Sequence, residues 1–250
     1  MDLFLRWQVV LNNVSIITAT YNRQLWLTKA IQSIKAQTDK NWEYIISDDG
    51  STDATHMVVM DAKQDDHRIH FIRSPHNKGN AFAIKRGIEA STGDYFCLLS
   101  DDDAYNPQFI RNMRYALSEN PDVGIVYCDT RVEYLDSIFG GEAGWTMDLT
   151  CPPAEQLVMH NVVNGFMMRR SEYDRIGGWP TRLQIANDWD FFLNAYMSGV
   201  KFIPLHQPLY TYRYWVGGMT YQKRRLQLDE SMQIMQWHRQ NLYPIMQNNA

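Results

Sequence analysis

Short runs of apolar and β-branched residues alternate along the first hundred positions with segments in which apolar side chains recur every three or four residues. The short runs predict buried strands, and the recurring pattern predicts helices that bury one face. The predicted strands cover residues 14–20, 42–46, 69–72 and 95–99. The predicted helices cover residues 25–37, about 54–66 and 81–90. This alternation predicts an α/β fold with a mostly parallel central sheet flanked by helices.

The pattern becomes less regular after Pro107, although further elements are predicted there. These are helices at 108–119 and 188–198, strands at 123–128, 164–170 and 200–203, and a helical tail at about 222–247. Residues 129–158 show no regular period. Since no repeat or Pro/Gly-rich linker divides the chain, we expect a single domain with a C-terminal helical appendage.

Composition narrows the possible functions. The 250 residues carry a formal net charge of −4, which excludes a general attraction to nucleic acid or to an anionic membrane. The three cysteines are far apart and form no zinc-binding spacing, which favours a reducing, cytoplasmic location. No apolar stretch approaches the ~20 residues that span a bilayer. We therefore expect no transmembrane segment and no signal peptide.

Carboxylates follow two of the predicted strands. Asp48 and Asp49 come after the second strand, and Asp101, Asp102 and Asp103 come after the fourth. The carboxyl edge of a parallel sheet is where α/β proteins bind ligands. Clustered acids repel one another unless a cation lies among them, and hard oxygen ligands suit Mg²⁺ or Mn²⁺ bound to a phosphate. The sequence predicts a metal-assisted site for a phosphate-bearing substrate, with a solvated acidic turn as the alternative.

Six blocks of the sequence, in order, resemble the family 2 glycosyltransferases. The blocks are VSIITATYNR (14–23), SDDGSTD (47–53), NKGNAFAIKRGI (77–88), GDYFCLLSDDDAYNP (93–107), VNGFMMRRSEYDRIGGWP (163–180) and NDWDFFL (187–193). The resemblance implies a GT-A fold over residues 1–220, with a nucleotide-binding half at about 13–103 and an acceptor half at about 104–220. Residues 221–250 then form the helical tail. It also implies an inverting enzyme that moves a sugar from a nucleotide-diphosphate donor, UDP or dTDP being favoured, to a hydroxyl group.

The resemblance assigns nucleotide-binding roles to several residues. Thr18 and Tyr21 would line the nucleotide pocket, and Asp49 would bind the uracil or thymine ring with Asp48 nearby. Lys85 stands where the family usually carries Asn; it would reach the diphosphate, or it is simply a solvated charge.

The metal motif of the family aligns with residues 100–103, where Ser100 replaces its first acid. The resemblance makes Asp102 the principal ligand of Mn²⁺ or Mg²⁺, and Asp101 a contact to ribose or metal. Asp103 would support the metal ligands or contact the acceptor.

The catalytic base is implied to be Asp188, with Asp190 as the weaker candidate. Asn187 replaces the glutamate that precedes this aspartate in the family. Four further residues are candidates for contacting an acceptor sugar, although each is more often structural. These are Trp145, Trp179, Trp189 and His160.

One departure from the family concerns Trp215, which stands at the histidine of a Tyr-Arg-x-His segment. An indole cannot ligate metal, so either Arg213 and Lys223 supply the positive charge or the donor is held less tightly. This substitution, with Ser100 and Asn187, keeps open a non-catalytic nucleotide-sugar-binding or scaffolding module.

Other enzyme classes lack their signatures here. A sugar nucleotidyltransferase or a dehydrogenase would need a glycine-rich loop after the first strand, and a processive synthase would need membrane helices. The expected partners are a nucleotide-sugar donor and a glycan or lipid-linked acceptor, but no nucleic acid. The tail, which begins with Lys223, Arg224 and Arg225, is a candidate for pairing subunits or touching a membrane surface, or a solvated charged face.

Overall fold

The structure is a computed structural model that describes residues 13–135, 143–154 and 165–248. Its strands are β1 (Val14–Thr20), β2 (Trp42–Asp48), β3 (Ile69–Arg73), β4 (Tyr95–Leu98), β5 (Ala104–Tyr105), β6 (Ile125–Leu135), β7 (Ala143–Leu149), β8 (Phe166–Arg169) and β9 (Phe202–Tyr214). Its helices are α1 (Gln24–Lys35), α2 (Thr55–Asp65), α3 (Asn80–Glu89), α4 (Phe109–Glu119), α5 (Arg170–Arg175), α6 (Asn187–Met197), α7 (Met219–Gln222) and α8 (Arg224–Asn248).

The strands of the described residues form one sheet in the order β3-β2-β1-β4-β8-β6-β9-β5, and β7 pairs with the outer part of β6. β3, β2, β1 and β4 run parallel to one another. Beyond β4 the sheet is mixed, because β8 lies antiparallel to both β4 and β6, whereas β6 and β9 are parallel. The predicted α/β class is confirmed, and the parallel pairing is concentrated in the first half.

The parallel half places its acidic residues at one edge. β1 is almost wholly buried, as expected for a strand covered on both faces. Its last residue, Thr20, is in register with Asp48 of β2, and its Ile17 is in register with Leu98 of β4. The segments after β1, β2 and β4 therefore emerge side by side, which brings Asp49 and Asp101 to the same edge.

The second half differs most from the sequence prediction. The region predicted to be irregular contains the outer part of β6 and all of β7, which pair antiparallel. β9 has 13 residues rather than the predicted four. It contains Pro204 and Pro208, which are typical of loops in a sequence. Pairing with β6 nevertheless keeps the segment extended, and two successive register shifts on either side of Asp129 absorb the irregularity.

The tail helix α8 packs against the rest of the domain. Ile234 is fully buried in a cluster with Leu183 and Ala186, which precede α6, and with Leu193 in the middle of α6. The buried Glu230 carboxylate accepts hydrogen bonds from the backbone N–H groups of residues 184, 185 and 186, at 2.8 to 2.9 Å. The helical tail is therefore a support for α6.

Candidate active site

A cavity of about 480 Å³ opens at the carboxyl edge of the parallel strands. Its walls come from the ends of β1 and β4, the loop after β2, the loop before α3, the first turn of α6, the end of β9 and the α7–α8 segment. Both the half predicted to bind the nucleotide and the half predicted to bind the acceptor contribute residues to it. Its size suits a small-molecule ligand.

Asp49 lines this cavity. One of its carboxylate oxygens accepts hydrogen bonds, and the other has no hydrogen-bond partner among the described residues. Oδ2 accepts the backbone N–H groups of Lys78 at 2.9 Å and Gly79 at 2.7 Å. Gly79 has φ +100°, a conformation that favours glycine. Oδ1 is buried and lies 4.0 Å from the Arg86 guanidinium. A buried acceptor left unpaired is costly, so Oδ1 is suited to a ligand donor.

Asp48 does not line the cavity. Its Oδ1 accepts hydrogen bonds from the N–H and hydroxyl of Ser51, and its Oδ2 lies 3.1 Å from Arg73 Nε. Arg86, which the sequence analysis missed, donates to the Asp48 carbonyl and to Ser47 Oγ. Asp48 and Arg86 therefore hold the loop that presents Asp49.

Tyr21, another predicted nucleotide-binding residue, also lines the cavity, with its side chain partly exposed. Thr18 is fully buried behind the wall, where its hydroxyl donates to the Leu99 carbonyl at 2.7 Å. Lys85 points outward and lies 3.9 Å from Glu89 on the next turn of α3.

Asp101 and Asp102 both line the cavity. Burial raises the pKa of Asp101 to about 7, and the neighbouring Asp102 charge adds to the increase, while Arg23 opposes it. Two adjacent carboxylates that are poorly solvated fit the demands of a divalent cation. The sequence motifs did not identify Arg23 as a site residue, although it belongs to the first of the six blocks that resemble the family.

Asp102 is already engaged by Trp215. The indole Nε1 donates to Asp102 Oδ2 at 2.9 Å. Trp215 is itself buried, with its ring centroid 4.7 Å from that of Trp26 and the Arg23 guanidinium 5.0 Å above it. The residue that replaces the family histidine therefore orients a predicted metal ligand instead of ligating metal.

Asp103 is turned away from the cavity. Its carboxylate is fully buried and accepts the Tyr210 hydroxyl at 2.5 Å and the Arg213 backbone N–H at 2.8 Å. Burial holds the pKa of Asp103 well above its usual range. These contacts tie the acidic loop to β9, and they leave Asp103 out of contact with an acceptor in the cavity.

Asp188 lies half-buried in the first turn of α6 and lines the cavity. Burial raises the pKa of Asp188 to about 6, and the Glu230 charge adds to the increase. Trp189 donates its backbone N–H to Asp188 Oδ1 at 2.7 Å. A carboxylate with this pKa is ionised near neutral pH and is basic enough to accept a proton.

Of the other candidates for contacting an acceptor, some line the cavity and some do not. Asp190 is buried in a two-point ion pair with Arg182, outside the cavity. Trp189 packs against the cluster that contains Ile234 of α8, and it also lies outside the cavity. Trp179 lines the cavity and donates its indole N–H to Asn187 Oδ1 at 3.0 Å. The side chain of Trp145 and all of His160 lie outside the described residues.

Two cations proposed to replace the histidine also lie at the cavity. Arg213 bonds through Nε to Glu133 at 3.0 Å and through Nη1 to the Asp102 carbonyl at 3.1 Å. Its charge is therefore already compensated. The Lys223 side chain is exposed at the rim and has no ion-pair partner within the described ranges, so it is the cation that a ligand can still recruit.

Fold and cavity together define a class: an α/β protein with an acid-lined ligand site at the carboxyl edge of parallel strands. Residues 15–177 match the family described as "Glycosyl transferase family 2". Since that match covers more than half of the chain, the chain belongs to this family.

Curated relatives agree with this assignment. The chain is 28% identical over 207 residues to an uncharacterized glycosyltransferase of Haemophilus influenzae, covering 78% of this chain and 66% of that protein. It is 40% identical over 91 residues to the GalNAc(5)-diNAcBac-PP-undecaprenol beta-1,3-glucosyltransferase of Campylobacter jejuni, covering 36% of this chain and 29% of that one. The matches therefore span less than two thirds of these relatives.

Solved structures share the fold, which is of the GT-A type. S. aureus TarS 1–349 in complex with UDP has a TM-score of 0.67 at 16% identity, covering 82% of this chain and 61% of that one. The mannosyltransferase PcManGT from Pyrobaculum calidifontis, in complex with GDP-Man and Mn²⁺, has a TM-score of 0.64 at 19% identity, covering 86% of this chain and 60% of that one.

In the part of the chain that the structure describes, none of the helices combines the length and apolar character needed to cross a membrane.

Proposed function

We propose that this protein is a metal-dependent inverting glycosyltransferase that moves a sugar from UDP or dTDP to a hydroxyl group of a glycan or lipid-linked acceptor. The observation that carries the proposal is the convergence of four carboxylates on one cavity. Asp49 has an unpaired buried oxygen, Asp101 and Asp102 are closely packed, and Asp188 has a raised pKa.

The base-recognition step rests on Asp49. Its Oδ1 can accept the imide N–H of uracil or thymine, while its Oδ2 stays fixed by two backbone N–H groups. The UDP complex of TarS, which shares the fold, supports a uridine donor.

The metal would be held by Asp102 through its remaining carboxylate oxygen, with Asp101 beside it. Oxygen ligands suit Mn²⁺ or Mg²⁺, and the structural neighbour PcManGT is shown with Mn²⁺. When bound, such a cation stabilises the charge that grows on a diphosphate leaving group. Lys223 at the rim is placed to add a second positive charge.

Asp188 is proposed as the base. It would take the proton of the acceptor hydroxyl as that oxygen attacks the anomeric carbon from the face opposite the departing nucleotide. Attack from that face inverts the anomeric configuration. The undecaprenol-linked substrate in the name of the Campylobacter relative supports a lipid-linked glycan acceptor.

A second candidate is a nucleotide-sugar-binding module without catalysis. The hydrogen bond from Trp215 to Asp102 favours it, since that bond occupies an oxygen that a metal would otherwise use.

A thermal-shift screen with UDP, dTDP, GDP and CDP, each with and without Mn²⁺, tests the donor site. A ligand at about a hundredfold excess over its Kd stabilises the fold by about 2.7 kcal/mol. We expect a Mn²⁺-dependent shift with UDP or dTDP that Asp102→Asn and Asp49→Asn abolish and the surface control Asp61→Asn retains. The absence of any nucleotide-dependent shift in the wild type would contradict the proposal.

A measurement of sugar transfer then distinguishes the two candidate functions, the glycosyltransferase and the binding module. Release of UDP from UDP-sugars is measured for the wild type and Asp188→Asn after donor binding has been confirmed for both. If the wild type releases UDP and Asp188→Asn still binds UDP but no longer releases it, the protein is an enzyme and Asp188 is its base. Binding without turnover in the wild type, across donors and simple acceptors, favours the binding module.

A further inference from the structure

A second group of potential metal ligands lies apart from the cavity. Asp129 of β6, Cys151 just after β7 and His206 of β9 bring one carboxylate oxygen, one thiol sulfur and one imidazole nitrogen within 4.8 Å of one another. The Cys151 Sγ to His206 Nδ1 distance is 3.8 Å, and the His206 Nδ1 to Asp129 Oδ1 distance is 3.4 Å. These residues do not line the cavity.

The backbone of three segments sets this geometry. In the β6–β9 ladder Cys128 pairs with Leu205 and the next residue, Asp129, pairs with Pro208, so two residues of β9 bulge out. His206 is one of the two, and the bulge brings its ring to Asp129. On the other side, Cys151 donates its backbone N–H to Asp129 Oδ1 at 2.8 Å, which anchors the segment after β7.

We propose that Asp129, Cys151 and His206 form a binding site for a zinc-like divalent transition metal. Zn–N and Zn–O bonds of about 2.0–2.1 Å and a Zn–S bond of about 2.3 Å place tetrahedral ligand atoms about 3.3–3.6 Å apart. The observed separations of 3.4 and 3.8 Å need only small adjustments to reach these values.

The ligand types select the metal. A thiolate with an imidazole prefers Zn²⁺ to Mg²⁺ or Mn²⁺, which the acids of the cavity suit better. His206 is 58% exposed, which gives an ion a route in and leaves room for water as a fourth ligand. Burial raises the pKa of the Cys151 thiol to about 12, so binding must release its proton and should tighten as the pH rises.

The consequence of occupancy is a cross-link. A bound ion would join β6, the segment after β7 and the β9 bulge, and would thereby fix the end of β7 against β9. This site requires neither nucleotide nor transfer, so it is independent of the function proposed above.

The test measures metal affinity on the whole chain. Metal-free protein is titrated with Zn²⁺ in competition with a chromophoric chelator, and with Co²⁺ while the near-ultraviolet sulfur-to-cobalt charge-transfer band is followed. We expect one Zn²⁺ per chain, a cobalt–thiolate band and a higher Tm with Zn²⁺. His206→Ala and Cys151→Ser should weaken binding by at least about 10- to 100-fold, the loss seen when even a supporting partner of a ligand is removed.

His56→Ala, which removes an exposed histidine of α2, is the matched control and should bind like the wild type. His206→Ala removes a largely exposed side chain, so its metal-free Tm should equal that of the wild type and confirm folding. Either the absence of a cobalt–thiolate band in the wild type or unchanged zinc affinity in a folded His206→Ala would overturn the proposal. Neither result depends on sugar transfer.

Discussion

At the residue scale, Trp215 determines how Asp102 is held. The indole is buried against Trp26, and its N–H group bonds to the Asp102 carboxylate. Hydrogen bonds to charged groups contribute about 1.5–3 kcal/mol. We expect Trp215→Phe to lower the free energy of unfolding by about that amount, measured by urea denaturation.

The control for this prediction is Trp26→Phe. This substitution makes the ring that packs against Trp215 smaller but keeps the hydrogen bond from the Trp215 indole to Asp102. A double-mutant cycle with Asp102→Ala isolates the pair, because without the carboxylate Trp215→Phe should cost only packing. Equal effects of Trp215→Phe in both backgrounds would show that the hydrogen bond contributes nothing.

Asp188 sets the pH dependence that we expect of transfer. Because burial raises its pKa to about 6, the carboxyl is protonated below that pH and cannot act as a base. The kcat/KM should therefore increase as the pH rises through about 6 and then level off.

Asp188→Asn should lower kcat by about 10²–10⁴-fold and remove this limb, with UDP binding retained as the control. A profile that is flat from about pH 5 to 8 in the wild type would assign the base elsewhere.

At the element scale, α8 completes the site by supporting α6. Glu230 accepts three backbone N–H groups just before the helix that carries Asp188, and its charge raises the pKa of Asp188. Glu230→Gln keeps the shape but removes the charge. We expect a loss of about 1–3 kcal/mol in stability and an acid limb of kcat/KM shifted to lower pH.

Asp229→Asn is the matched control, since it changes an exposed acid one position away on the same helix. Urea denaturation and the pH profile should both match the wild type in this control. If Glu230→Gln leaves the acid limb where it was, the two carboxylates are not coupled.

At the scale of the whole molecule, the tail helix is part of the folded unit. A chain ending at Lys223 would lose Glu230 and Ile234, leaving three backbone N–H groups without their acceptor and exposing the cluster around Leu193. We expect a lower Tm and loss of transfer activity. A chain ending at Arg239 keeps both residues and should retain a Tm closer to that of the full chain.

Much of the first half could be predicted from sequence. The bounds of β1 agree with the apolar run, and those of α1 to α4 agree with the helical spacing within about two residues, because each element buries its own pattern against neighbours close in sequence. The second half could not be predicted as well. The pairing of β6 with β7 and the length of β9 depend on partners far along the chain, and the prolines of β9 by themselves favour a loop.

The candidate site, too, could be predicted from the sequence only in part. Asp49, Asp101, Asp102 and Asp188 were identified from their motifs, and all four line the cavity. The positions of Thr18, Asp103 and Asp190 behind the wall were not predictable, because a motif does not show which way a side chain faces. The positioning roles of Arg86 and Glu230 also emerged only in the structure.

The sequence by itself determined the α/β class, the family and the carboxylates available for chemistry, because those depend on local periodicity and on residue types in order. The tertiary structure decided which of these carboxylates meet, what Trp215 does in place of a histidine, and that Asp129, Cys151 and His206 lie together. Those facts depend on strand register and side-chain direction, which arise only when segments far apart in the chain pack against one another.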